Sequence, residues 1–326
     1  MSTTLSKQIT ADYGRFCNSA VVQMRPDHGV LLLSDSGRAD FLQRMTTNAI
    51  QALTPGTSTV TVLTSDVARS LFAFTVICRD DDLLLLPGQG EAAGRTANLR
   101  SKIFFLDKVQ VGDISQHVKR ARLMGPEGDE VLARLGFDLT EADDGAWRRQ
   151  GDVTATKQVH FDVPGHELLI PASGLKAFLD QLQEAGATML QNDAAYQIRR
   201  IELGRPVAGS EITDAYNPLE VGLEWTCAEN KGCYTGQEII ARQITYDKVT
   251  KTLVGLRSEK LLPPGAPVSV EGRAVGTVTS AAISPTSDAP IALAIIKRPA
   301  NAVGTLIEVD NGAAEVTALP FPQTTP

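Results

Sequence analysis

Residues Lys231 to Glu238 read KGCYTGQE and run on into IIARQI, with Arg242 inside that continuation. Two glycines bracket a Cys-Tyr-Thr unit, which permits tight backbone geometry, and the residues that follow have the pattern of a helix start. Cys233 therefore sits at a turn-to-helix junction. A thiolate there gains from the positive end of the helix, and from Lys231 if that ammonium folds over it. The residues alone leave a plainer reading open, in which Cys233 is small and buried, Lys231 is solvated and the glycines only shape a turn. Neither a cysteine hydrolase nor a disulfide switch follows, because no local Cys/His motif supplies a base and Cys227 and Cys233 lie further apart than a CxxC pair.

Upstream of this run the chain reads as α+β. GVLLLSD at 29–35 is an extended candidate, and GRADFLQRMTTNAIQAL at 37–53 spaces Phe41, Leu42, Met45, Ala49 and Ile50 as one amphipathic helix. Strands are expected at 59–63, 71–78 and 83–87, then a helix over 91–102 and a further strand. No GxGxxG follows a strand, so no dinucleotide fingerprint is present. Helices are expected within Gly112–Leu139 and Gly165–Ala187, the second with Ser173 as N-cap and Gly186 as stop, while VTATKQVHFDVPGHELLIP reads as two strands joined near Pro164 and Gly165. Beyond a boundary at 245–252, five short extended stretches broken by Gly, Pro and Asp predict a terminal barrel or sandwich. The loop PTSDAP is expected at the surface, and the final FPQTTP to fray.

Composition sets the outer bounds. At 326 residues the chain is long enough for two or three cores, and 31 Lys plus Arg against 38 Asp plus Glu leave a net charge of -7. That balance argues against a mainly electrostatic grip on nucleic acid or anionic membrane, and the short RSK (100–102) and KRAR (119–122) runs read as solvated surface. Cysteines at 17, 78, 227 and 233 form no disulfide framework, no apolar stretch reaches bilayer length, and the polar start MSTTLSKQIT lacks a signal-peptide core, so a cytoplasmic location is expected. Four histidines without HExxH or a Cys cluster predict no dedicated metal site.

KGCYTGQE resembles the signature of the YgfZ family, folate-binding relatives of the glycine-cleavage aminomethyltransferase, or T protein. RIELGRP (200–206), NPLEVGL (217–223) and FLQRMTTN (41–48) support the resemblance in family-like order. It implies ferredoxin-like subdomains in a folate-binding region over 1–245, arranged around a central pocket, and a C-terminal β-barrel over 246–326. It also implies a role in assembling or repairing iron-sulfur enzymes, those with [4Fe-4S] clusters above all, with an indirect effect on tRNA thiomethylation. The cofactor implied is tetrahydrofolate or another reduced folate, with no stable metal; the partners are iron-sulfur enzymes or assembly proteins, without direct nucleic-acid or membrane binding. Within that frame Glu202 is the candidate for the pterin edge, Glu220 for orienting the adjoining turn and Arg242 for the glutamate tail. Cys233 is the candidate transient sulfur, iron or thiol-exchange contact, with Lys231 supporting its anionic state and Tyr234 and Gln237 fixing neighbouring groups. A competing expectation is a true folate-dependent aminomethyltransferase or demethylase. Against it, the T protein favours an acidic pair before the strand that follows TSDVARS, where this chain has Arg69 and Ser70 with only Asp66 nearby. A third is a folate-binding adaptor whose thiol has no direct role.

Overall fold

The structure, a computed structural model, describes residues 5–90, 92–310 and 312–322. Two sheets and a barrel make up the chain. The first sheet is antiparallel, in the order Ser58–Thr64, Ser70–Cys78, Leu83–Pro87, Leu31–Ser34, Gln110–Asp113. Leu31, Leu33 and Leu85 pack on Phe41 and Leu42 of the helix Arg38–Met45 and on Leu99 of the helix Ala92–Arg100. The second sheet runs Thr188–Met189, Val21–Met24, Val118–Met124, Gly165–Pro171, Val153–Gln158, Trp147–Gln150. Its first long strand, Val21–Met24, precedes the whole first sheet in the chain, so the polypeptide starts in one layer, builds the other and returns.

A closed barrel follows, from Lys251–Ser258 to Gly312–Thr317, which pair with each other to seal it. Alternate small and branched residues, Leu256, Val268, Ala292, Ala294 and Ile296, fill its centre. The helix Ala194–Glu202 joins barrel to sheets, with Ile201 packed against Ile291, Leu293 and Phe321.

Three local expectations are corrected. The helix at 38 stops at Met45 instead of running to Ile50. Thr46 is extended and its hydroxyl donates back to Leu42 O at 2.8 Å, while the N–H of Thr47 turns to Val62 O at 3.0 Å. The stretch Val118–Met124 is a strand, and only Gly128–Arg134 of Gly112–Leu139 is helical. The N-cap of the helix Leu175–Glu184 is Gly174, with Ser173 inside a preceding 3-10 turn, although Gly186 ends the helix with a positive φ of 108°. Residues 91 and 323–326, on which parts of the helix and tail expectations fall, lie outside the described residues.

Candidate functional site

Strand periodicity creates the site. In Val118–Met124 the side chains of Ala121 and Leu123 enter the core beneath the sheet, which leaves Arg120 and Arg122 on its opposite face. Across the ladder Arg122 stands level with Gln23 on one side and Glu167 on the other, so a polar row crosses the sheet. This face, the strands Ser70–Cys78 and Leu83–Pro87 of the first sheet, and the helix Ala194–Glu202 enclose a central cavity of about 310 Å³. Leu71, Phe72, Leu86, Phe161 and Ile212 give it apolar walls, and Gln23, Arg25, Arg95, Arg120, Asp162 and Asp193 its polar ones.

The floor is a buried charge network. Glu167, with no exposed surface, receives Arg120 Nε at 2.6 Å, Arg25 Nη1 at 3.1 Å and Arg122 Nη1 at 3.4 Å. Asp162 receives Arg25 Nη2 at 2.7 Å and the Tyr196 hydroxyl at 2.9 Å. Burial works against ionisation of both carboxyls, but the arginines outweigh it and hold them below the usual carboxylate range. KRAR is therefore not a solvated patch, since Arg120 and Arg122 are buried and supply most of this network. The signal available in the sequence is the spacing of two arginines two residues apart in VKRARLM, together with the lone Glu167 in the apolar run HELLIP.

Three wall groups have bonding capacity left over. Arg95 gives its guanidinium to the carbonyls of Gly88 and Gln89 and stacks 5.5 Å from the Phe72 ring, with no carboxylate partner among the described residues. Burial, followed by the field of Arg120, lowers its pKa to about 10. The Nδ1 atom of His28 is buried without a hydrogen-bond partner, and burial followed by Arg120 and Arg25 keeps the ring neutral. Asp193, at the start of the helix Ala194–Glu202, accepts the Gln23 amide at 3.0 Å and has no ion-pair partner among the described residues. The cavity thus offers a cation, an unpartnered imidazole nitrogen and an anion around an apolar slot.

The residues singled out from sequence lie elsewhere. Glu202 is buried where helix meets barrel, accepting Tyr13 Oη at 2.7 Å, Ser284 Oγ at 2.6 Å and Arg199 Nη1 at 2.9 Å. Glu220 forms a capping box with Asn217 at the turn Pro218–Val221, with Arg69 at 3.6 Å and Lys251 at 3.7 Å. Gln237 accepts the N–H of Tyr234 at 3.3 Å, and Arg242 pairs with Glu238 on the exposed side of the helix Gln237–Thr245. None of these four lines the central cavity, because each side chain is already committed to a turn, a helix face or the barrel junction.

Cys233 is exposed in the turn that leads into that helix, four residues before Gln237, while Cys227 is buried. Lys231 does not fold over Cys233. Its ammonium is buried and caps the C-terminal end of the helix Arg38–Met45, donating to the carbonyls of Gln43, Thr46 and Asn48 and lying 4.8 Å from the Tyr234 ring. Burial lowers its pKa to about 8, opposed only by the Cys227 thiol. FLQRMTTN and KGCYTGQE are thereby tied into one unit, reinforced by the N–H of Thr235 on Arg44 O at 3.2 Å and that of Ala228 on Thr47 O at 3.0 Å. Gly236, φ 83°, closes it, since a Cβ there would lie 2.7 Å from Ser65 O.

Comparison with known proteins places the architecture. Residues 31–231 match the GCVT N-terminal domain, and 251–322 match the glycine cleavage T-protein C-terminal barrel domain. The chain belongs to the glycine cleavage T-protein family. It is 29% identical over 299 residues to a putative chloroplastic transferase of Arabidopsis thaliana, covering 90% of this chain and 69% of that one. It is 26% identical over 319 residues to an aminomethyltransferase of Geobacillus kaustophilus, covering 90% and 84%. The glycine cleavage system aminomethyltransferase T of Bartonella henselae superposes with a TM-score of 0.87 at 21% identity, over 96% of this chain and 89% of that chain, and so shares the family fold. The expected α+β region followed by a C-terminal β-barrel is the observed architecture. Among the described residues no helix is long and apolar enough to cross a membrane.

Proposed function

We propose that the central cavity binds tetrahydrofolate or a related reduced folate, and that the protein serves the assembly or repair of iron-sulfur enzymes through Cys233. The observation that carries the folate reading is the set of unspent groups on one apolar slot. A folate has a flat pterin with amide-like edges and an anionic glutamate tail, which match Asp193 and the unpartnered His28 Nδ1 on one hand and Arg95 on the other, with Phe72 and Phe161 for the ring faces. This assignment replaces Glu202 and Arg242, whose bonding capacity is spent away from the cavity.

The maturation reading rests on Cys233, an exposed thiol on a motif held rigid by Lys231, Thr235 and Gly236. One thiol cannot hold a conventional cluster alone, so its contact with iron or sulfur is transient and completed by ligands from a partner. Arg69 stands where a transferase would need an acid, and it is turned to Glu220 and to Ala215 O at 3.2 Å, which is why transfer chemistry is the weaker reading. In cells depleted of the protein, Cys233→Ala is expected to bind folate normally and fail to restore [4Fe-4S] enzyme activity; full rescue would remove the role of the thiol. Names of relatives favour a second reading, aminomethyl transfer to folate, and stoichiometric one-carbon transfer by the purified protein would establish it instead.

A further inference from the structure

Exposed apolar surface is unevenly distributed over this molecule. Among the described residues, Phe104, Phe105 and Leu106 are consecutive and 67%, 93% and 77% exposed, at the tip of the connection between the helix Ala92–Arg100 and the strand Gln110–Asp113. The tip is a built turn, not a slack loop. The N–H of Phe104 donates to Asp107 Oδ2 at 2.9 Å, the N–H of Asp107 donates to Phe104 O at 2.9 Å, and Arg44 clamps Asp107 Oδ1 at 2.6 Å. Through its carbonyl the same Arg44 accepts the N–H of Thr235, two residues from Cys233. Val67, 58% exposed, lies on the turn whose Ser65 and Ala68 press against Gly236 of the same motif. The Cys233 turn is thus tied, through Thr235 and Gly236, to the segments that carry both exposed apolar projections.

Charge says what covers them. Arg100, Lys102 and Lys108 flank the tip, and none is in an ion pair among the described residues, although the chain as a whole carries -7. An apolar knob with an unneutralised cationic surround matches an apolar recess rimmed by carboxylates. We propose that the 104–106 tip and the Cys233 turn form one docking surface for a partner protein of that acidic-rimmed kind, the tip seating the partner so that its metal-ligand or thiol site meets Cys233. This rests on the maturation reading above and names the surface through which it acts.

The test uses the full-length protein in depleted cells, with a photo-crosslinking amino acid at the exposed positions 105 or 238 or, as a control on the barrel, at the exposed position 303. The expected result is a shared set of crosslinked proteins at 105 and 238, missing at 303 and reduced at least several-fold by Lys102→Glu with Lys108→Glu. Phe105→Ser, an exposed change, is expected to lower rescue of [4Fe-4S] enzyme activity while leaving folate binding and melting temperature unaltered. Full rescue by Phe105→Ser alongside failure of Cys233→Ala would overturn the docking surface and leave the maturation reading standing. Rescue by both variants would remove that reading as well. Flotation with phosphatidylserine-containing vesicles that is lost in Phe105→Ser, without a shared crosslink, would reassign the tip to a membrane surface and overturn the proposal.

Discussion

Glu167→Gln is the most informative single perturbation of the cavity floor. In the native protein three guanidiniums, Arg25, Arg120 and Arg122, share two carboxylates, Glu167 and Asp162, so the cluster carries +3 - 2 = +1. Removing the Glu167 charge leaves +3 - 1 = +2 in a site with almost no solvent, and replaces an acceptor-only group 2.6 Å from Arg120 Nε by an amide that must point one N–H at a cation. Breaking a buried pair from one side costs about 3–5 kcal/mol. With an unfolding entropy of about 2.1 cal/mol/K per residue, or about 0.7 kcal/mol/K for 326 residues, the expected fall in melting temperature is roughly 4–7 °C. Thermal scans from pH 3 to 8 provide the assay. Because the folded-state pKa of Glu167 and Asp162 is depressed, their stabilisation is fully present above the unfolded value of about 4 and is lost as pH falls through the folded one, so the wild type loses stability on acidification. The variant should show a smaller acid loss. A fall of less than about 2 °C at pH 7, or an unchanged acid limb, would refute the view that Glu167 neutralises the arginine cluster.

Three further outcomes follow from the same geometry. Lys231 has its pKa lowered from 10.5 to about 8 by burial, so between those values the unfolded chain binds the extra proton and wild-type stability should rise with pH; Lys231→Met should lack that rise in denaturant titrations from pH 7.5 to 10.5. Gly236→Ala forces a side chain into a left-handed conformation against Ser65 O and should cost about 1–3 kcal/mol, read as a lowered melting temperature with faster proteolysis of the 231–245 segment. Tyr13→Phe removes the hydroxyl that joins Glu202 and Thr286, and should speed amide exchange in the helix Lys7–Asn18 by a net hydrogen-bond loss of about 1 kcal/mol, without altering folate affinity.

How much of this could be read from the chain divides along a physical line. Leu31–Ser34, Ser70–Cys78 and the barrel strands announce themselves because each is a short apolar or β-branched run between turn residues, and that local pattern decides their state. Val118–Met124 does not, because VKRARLM looks like a basic helical surface until Glu167, more than forty residues away in sequence, is set level with Arg122. KGCYTGQE was legible as a turn-to-helix junction, and the helix indeed begins at Gln237. The role of Lys231 was not, since its partners are backbone carbonyls, which carry no side-chain signature. The same limit applies to the cavity. Arg95, Asp193 and His28 come from three separated segments and matter for the bonds they leave unmade, a property that exists only after folding.

The central claim is that a reduced folate occupies the cavity between the two sheets. The most direct measurement is anaerobic calorimetric titration of tetrahydrofolate into the wild type, Arg95→Gln, Asp193→Asn and Glu202→Gln, each first checked for an unchanged fold by circular dichroism. The predicted result is a single site in the wild type, weakened at least tenfold by Arg95→Gln and by Asp193→Asn and retained in Glu202→Gln. Absence of binding in the wild type, or loss only in Glu202→Gln, would contradict it.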